Sequence, residues 1–376
     1  MPTWSPQQDA ALAAVAAWLR DVGATARLSG RRPGKQLFRL FGYAGTGKTT
    51  LARHIAEDID GRVVFAAYTG KAALVLRAKG CEGASTIHSL IYRPRNSKDE
   101  EAPTFAINRE SEAAGAKLII IDECSMVDEE LGRDLLSFGV PVLVLGDPAQ
   151  LPPVKGGGYF TEAEPDVMLT EVHRQARDNP IVQLSMEVRE GGALSLGAFG
   201  ESKVIRRGAI DKEQILATDQ VLVGLNRSRR LYNQRMRELL GYGTQFPSAG
   251  DKLVCLRNDK KKGLLNGGLF VVKEVAAGNA GILRMRVVPE EDPNARAVRV
   301  SVLGQAFEKE ESEIPFQLRR HADSFDYGYA LTVHKAQGSQ WDDVVLFDES
   351  FAFREHRARW LYTGLTRAAE RITVVV

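Results

Sequence analysis

The sequence predicts an α/β fold with two parallel-sheet domains, and three observations predict it. Short, continuously apolar runs recur with helical stretches between them. A complete glycine-rich phosphate-binding loop follows the first such run. A turn-rich, strand-like stretch interrupts the second set of runs. Strands that are apolar throughout and alternate with helices belong to parallel sheets covered on both faces. The 376 residues exceed one ordinary domain.

Taken in order, residues 37–41, 63–67, 118–121, 142–145 and 167–169 are the apolar runs of the first domain, and 220–223, 327–331, 344–347 and 372–376 those of the second. Between the members of the second set, residues 252–256, 269–275, 283–288 and 297–302 are strand-like, with Asn266-Gly267-Gly268 and Gly278-Asn279 as turns. That pattern predicts a small antiparallel β insertion. Residues 93–115 are polar and contain Pro94 and Pro103, which suits either an exposed projection or a plain solvated loop. Residues 226–240 have the spacing of an amphipathic helix, with Tyr232, Met236, Leu239 and Leu240 on one face. Arg227, Arg229, Arg230, Arg235 and Arg237 fill much of the remainder, a solvated face or a phosphate-touching one.

Composition excludes several classes. A hydrophobic fraction of 44% with 26% charged residues is that of a folded globular chain, and no apolar run is long enough to span a bilayer. The net charge of +2 means that any polyanion site must be a local patch. Cys81, Cys124 and Cys255 lie far apart and form no metal-ligand spacing, so a reducing, cytoplasmic setting is expected.

The chemistry is concentrated in two motifs. Gly42-Tyr43-Ala44-Gly45-Thr46-Gly47-Lys48-Thr49 follows one apolar run and precedes a helical stretch. Glycines there let backbone N–H groups close around phosphates at the positive end of a helix, with Lys48 reaching the β- and γ-phosphates and Thr49 holding Mg²⁺. The second motif, Leu118-Ile119-Ile120-Ile121-Asp122-Glu123, ends a buried strand with two acids. Asp122 is placed to hold Mg²⁺ and Glu123 to activate a water, a pairing that favours hydrolysis over transfer to another acceptor.

With these motifs in this order, the chain resembles a superfamily 1 helicase of subgroup B, RecD-like and Dda-like, over nearly its whole length. Trp4-Ser5-Pro6-Gln7-Gln8 is similar to the Q motif, Ala66–Ala73 to motif Ia and Ala84–Leu90 to motif Ib. Gly146–Pro153 is similar to motif III, Leu169–Gln175 to motif IV, Ala330–Gly338 to motif V and Leu361–Ala368 to motif VI. The resemblance implies a P-loop NTPase with two RecA-like domains. The first would span residues 1–90 and 116–170 around a pin-like hairpin insertion at 91–115. The second would span 171–249 and 323–376 around an SH3-like, β-barrel insertion at 250–322.

It further implies that Gln8 reads adenine, that Gly42, Gly45, Thr46, Gly47, Lys48, Thr49, Thr50 and Gly338 surround ATP, and that Thr49 and Asp122 hold Mg²⁺. Lys48 and Glu123 would serve hydrolysis, Gln150 would sense the γ-phosphate, and Arg174 and Arg367 would be arginine fingers. Thr69, Lys71, His88, Thr332, His334 and Lys335 would lie along single-stranded DNA; for Thr69, Lys71, His88 and His334 a helix-cap or core role is the alternative. Phe105 would separate strands at a fork, unless it is a packing anchor.

The implied activity is ATP-driven movement on single-stranded DNA, 5′ to 3′, with unwinding of forked duplex by a monomer in a bacterial cell or phage-infected host. Replication, repair and recombination are all open as settings. A translocase that does not unwind, an RNA helicase and an ATP switch acting on a protein remain the alternatives. The chain starts close to the Q motif and ends just past motif VI, the layout expected of a compact motor, and it shows no nuclease motif.

Overall fold

A computed structural model describes residues 4–29, 35–94, 105–153, 158–171, 178–243, 245–259, 261–277, 281–309 and 313–376. The chain divides into two compact units. The first contains Met1–Asn96, Thr104–Leu194 and Ala358–Thr366; the second is built mainly from Ser195–Arg357 and Arg367–Val376.

The first unit carries strands β1 (Leu37–Gly42), β2 (Val63–Ala67), β3 (Ser85–Thr86), β4 (Tyr92–Pro94), β5 (Phe105–Ile107), β6 (Leu118–Asp122), β7 (Val142–Gly146) and β8 (Val167–Leu169). Its helices are α1 (Pro6–Ser29), α2 (Lys48–Glu57), α3 (Gly70–Ala78), α4 (Ile87–Ile91), α5 (Glu129–Leu136) and α6 (Pro180–Arg189). Six strands form one parallel sheet in the order β3-β2-β6-β7-β1-β8. Leu118 to Ile121 and Val142 to Leu145 are fully buried, as expected of central strands covered on both faces. Short polar side chains start the helices: Thr69, Thr86, Asp128 and Asn179 each accept a backbone N–H from the first turn of α3, α4, α5 and α6. The polar segment after α4 opens as a two-stranded hairpin, with Tyr92 opposite Ile107 and Pro94 opposite Phe105. Residues 95–104, which include Pro103, lie outside the described residues.

The second unit contains β9 (Gly197–Phe199), β10 (Ser202–Ile205), β11 (Gln220–Val223), β12 (Lys252–Cys255), β13 (Leu269–Ala277), β14 (Ile282–Pro289), β15 (Val298–Leu303), β16 (Phe325–Tyr327), β17 (Ala330–Thr332), β18 (Trp341–Phe347) and β19 (Ala368–Val375). Helices α7 (Lys212–Ala217), α8 (Asn226–Leu239) and α9 (Phe316–Arg319) accompany them, while α10 (Arg357–Leu365) lies almost wholly in the first unit. One sheet runs β17-β11-β18-β19-β10-β9, parallel except for the antiparallel β9 edge. The other is antiparallel, β15-β14-β13-β12-β16. Among the described residues no helix is long and apolar enough to cross a membrane.

The structure differs from the sequence expectations in several places. The apolar run 327–331 is two strands: β16 pairs antiparallel with β12, and β17 pairs parallel with β11. Gly328 sits between them, where a Cβ would lie 2.9 Å from the Leu253 carbonyl carbon. The antiparallel insertion therefore takes its fifth strand from beyond residue 322. The boundary expected near residue 171 also moves, since the chain to Leu194 packs in the first unit. There α6 places the Arg189 guanidinium 3.7 Å from the centre of the Tyr43 ring. Ala358–Thr366, which holds nearly all of α10, belongs to the first unit as well. Finally, β9 and β10 carried no clear signal, because β9 is exposed and glycine-led and β10 alternates in burial. The turn expected at Gly278-Asn279 has Gly278 and Asn279 outside the described residues.

Candidate nucleotide-binding site

Adjacent strands β6, β7, β1 and β8 deliver their carboxyl ends side by side, the position where open parallel sheets bind ligands. After β1, the chain turns through Gly45 (φ 77°) and Gly47 (φ 80°), left-handed conformations that glycine adopts without steric cost. Gly42 is required for a different reason: a Cβ there would lie 2.6 Å from Thr46 Oγ1 and 2.8 Å from Leu169 Cβ. Helix α2 starts at Lys48 without a side-chain cap, so its first N–H groups face the loop's concavity.

Lys48 Nζ donates to the carbonyls of Gly42 (2.6 Å) and Tyr43 (2.9 Å). Thr49 Oγ1 donates to Asp122 Oδ2 at 2.9 Å. A hydroxyl and a carboxylate at this separation, beside a phosphate loop, fit a hard divalent cation. Glu123 takes φ 53° and ψ 45°, one of two non-glycine residues with positive φ among the described residues. Such a conformation costs about 1–3 kcal/mol and persists where its surroundings impose it. Here the Glu123 N–H donates to Asp122 Oδ1 at 2.8 Å.

Gln8 is buried at 3% exposure. Its Oε1 accepts the Ser5 N–H at 3.1 Å, its own N–H points to Ser5 Oγ at 3.3 Å, and its Nε2 donates to the Thr46 carbonyl at 3.1 Å. Ser5 and Gln8 thus form a capping box, and the same amide ties the start of α1 to the phosphate loop. Gln7, part of the same stretch but given no role from the sequence, grips the exit of β8. Its Oε1 accepts the N–H groups of Thr170 and Glu171, and its Nε2 donates to Met168 O and Thr170 Oγ1.

After β7, Gln150 is 8% exposed, and its Oε1 is buried with no hydrogen-bond partner among the described residues. Such an atom calls for a ligand or water. Thr46 is buried, while Thr50 is exposed on α2. Arg174 lies outside the described residues. In the second unit, Arg367 is buried and donates to the Ser339 carbonyl at 3.2 Å, and Gly338 has φ 76°.

The expected nucleic-acid residues also follow strand ends. Thr69 caps α3 after β2, with Lys71 in its first turn, and His88 lies on α4 after β3. Burial holds the His88 imidazole below its ordinary pKa, against the pull of Asp128 and Glu130. His88 packs at a tilt of 55° against Tyr92 (5.1 Å between ring centres) and meets Phe105 edge-on (6.4 Å); Phe105 itself is 50% exposed. In the second unit Thr332 ends β17 and accepts the Lys335 N–H, and His334 packs 5.3 Å from Phe353.

The fold and this site define a P-loop nucleotide-binding protein with RecA-like parallel sheets. Residues 31–209 match the AAA domain model and residues 327–375 the UvrD-like helicase C-terminal domain model. The ATP-dependent RecD2 DNA helicase of Deinococcus radiodurans is 30% identical over 371 residues, covering 90% of this chain and 46% of that protein. The ATP-dependent DNA helicase PIF1 of Danio rerio is 27% identical, covering 92% of this chain and 58% of its own. The chain therefore spans about half the length of these curated relatives. Among solved structures, Pif1 helicases described as coordinating at forked double-stranded DNA match with a TM-score of 0.58 at 19% identity, over 99% of this chain and 92% of that one. Bacteroides Pif1 bound to single-stranded DNA matches with a TM-score of 0.56 at 19% identity, over 99% and 92%. Along most of its length the chain is similar to the RecD2 and Pif1 helicases, and two of its segments match the AAA and UvrD-like C-terminal domain models.

Proposed function

We propose that this chain hydrolyses ATP with Mg²⁺, moves along single-stranded DNA in the 5′-to-3′ direction, and opens forked duplex as a monomer. The observation that carries the proposal is the convergence of Lys48, the Thr49–Asp122 pair and Glu123 at neighbouring strand ends. Loop N–H groups and Lys48 would hold the phosphates, with Gly42, Gly45, Thr46, Gly47, Thr50 and Gly338 shaping the pocket and Gln8 its adenine end. Thr49 and Asp122 would hold Mg²⁺, which supplies charge neutralisation on the phosphates. Glu123 would take the proton of the attacking water, Gln150 would sense the γ-phosphate, and Arg174 and Arg367 would stabilise the charge that builds on the transferred group. Thr69, Lys71, His88, Thr332, His334 and Lys335 would line the strand, and Phe105 would meet the fork. The named activities of the RecD2 and Pif1 relatives support this reading.

The test is ATPase with and without single-stranded DNA or RNA, followed by unwinding of forks bearing a 5′ or a 3′ tail. Stimulation by DNA and unwinding of the 5′-tailed fork are expected. Lys48→Ala should abolish turnover in a folded protein. ATPase indifferent to any nucleic acid would overturn the motor reading, and stimulation by RNA alone would move the substrate.

A further inference from the structure

Two consecutive hydroxyls of α10, both within the first unit, hold the segment that carries Gln150. Tyr362 is 1% exposed and Thr363 fully buried. Tyr362 Oη donates to Asp147 Oδ2 at 2.6 Å and accepts the Ala44 N–H of the phosphate loop at 3.0 Å. Thr363 Oγ1 accepts the Leu151 N–H at 2.9 Å and donates to the Arg359 carbonyl at 2.7 Å. Between these anchors, Asp147 Oδ1 accepts the Ala149 N–H at 3.0 Å, and the Gln150 N–H donates to the Asp147 carbonyl at 3.1 Å. Residues 147 and 151 are thus fixed by neighbouring side chains of one helix. Gln150 stands between them, its buried Oε1 without a hydrogen-bond partner among the described residues. Packing alone does not require this arrangement, since a phenyl ring and a valine would fill the same space. What the hydroxyls add is direction: one reads a carboxylate and a loop amide, the other the Leu151 N–H and the Arg359 carbonyl. Burial and the Asp147 carboxylate raise the Tyr362 hydroxyl above its ordinary pKa, so it remains a donor.

We infer that Tyr362 and Thr363 are positioning residues for hydrolysis, which orient Gln150 and tie its segment to the phosphate loop through Ala44. The inference rests on the reading above that Gln150 senses the γ-phosphate. A lost hydrogen bond to a charged or buried group typically changes a rate by about tenfold. Tyr362→Phe and Thr363→Val should therefore each lower the DNA-stimulated kcat about tenfold, while ATP affinity, read with a fluorescent ATP analogue, changes less than about twofold. Thr363→Ser keeps the hydroxyl and should restore the rate. In a Gln150→Ala background, Thr363→Val should cost nothing further, because residues acting as one unit are not additive. A serine variant as slow as the valine variant, or additive losses in the double variant, overturns the inference. A Gln150→Ala loss without a Tyr362→Phe or Thr363→Val loss removes the inference alone. Gln150→Ala at full stimulated rate removes the sensing reading and the inference with it. Thermal unfolding of each variant separates these outcomes from loss of the fold.

Discussion

Thr49 and Asp122 are 73 positions apart in the chain, and their side-chain oxygens lie 2.9 Å apart in the fold. Each was legible in the sequence as half of a motif, since glycine spacing and an acid at a strand end are local signals. Gln8 was legible by type, yet its capping-box geometry and its bond to Thr46 depend on where α1 begins. Gln7, Tyr362 and Thr363 were not legible as contacts, because their partners lie more than 160 residues away. Histidine gives a prediction at this scale. Burial, with His356 adding to it, holds His334 below the ordinary histidine pKa of 6.5. The folded state then favours the neutral ring. Its contribution to stability is full above pH 6.5 and falls as the pH drops through 6.5 towards the lowered folded value. His334 should titrate below 6.5 by NMR, and His334→Gln should flatten the loss of thermal stability between about pH 7 and 5.

Helix α8 shows where element-level reading went astray. The spacing predicted an apolar face of Tyr232, Met236, Leu239 and Leu240. The buried positions are Arg229, Asn233, Met236 and Arg237, while Leu240 is 45% exposed. Two of the five arginines read as a basic face are therefore internal. Arg229 pairs with Asp326 at 2.5 Å, and Arg237 pairs in bidentate fashion with the fully buried Asp251 at 2.9 and 3.0 Å. Asp251 also accepts the Tyr329 hydroxyl and the Ser248 N–H. A pattern of apolar residues cannot show a stripe buried through ion pairs with distant acids. Removing one partner leaves a buried charge uncompensated, so Arg237→Ala should destabilise the protein by about 3–5 kcal/mol in urea unfolding. An effect below about 1 kcal/mol would mean that water reaches Asp251.

The β4–β5 hairpin belongs to the same scale. Polar composition and two prolines left a projection and a loop equally open; at the base of the segment Tyr92 pairs across from Ile107 in an antiparallel ladder. Phe105 is exposed yet leans on His88 and Tyr92. Base–aromatic stacking is worth about 1–3 kcal/mol. Phe105→Ala should accordingly slow fork unwinding several-fold while translocation on a single strand changes little. Equal slowing of both would make the ring a packing anchor.

At the scale of the whole molecule, the two parallel sheets share one construction: buried strands, with chemistry-bearing residues just beyond their carboxyl ends. Among the proposed strand contacts, only Lys71 and Lys335 carry a full positive charge, since His88 and His334 are held towards neutrality by burial. Affinity for single-stranded DNA should fall with salt, with a log–log slope of about −0.7 per phosphate neutralised. Lys71→Ala and Lys335→Ala should each flatten that slope by about 0.7, and alanine at Thr69 or Thr332 should weaken binding without changing it. Unchanged slopes in both lysine variants would place the charged contacts elsewhere.

The sequence by itself determined the α/β class, the five apolar strands at 37–41, 63–67, 118–121, 142–145 and 167–169, and the glycine-rich loop after the first of them. All three are written in contiguous residues: apolar runs, glycine spacing and the acids at a strand end. Only the tertiary structure decided that the run 327–331 divides between two sheets, that α8 buries arginines, and that Tyr362 and Thr363 hold Asp147 and Leu151. In each case the deciding term is a close approach or a buried polar pair between residues far apart in the chain, and no local pattern encodes the partner of a buried polar group.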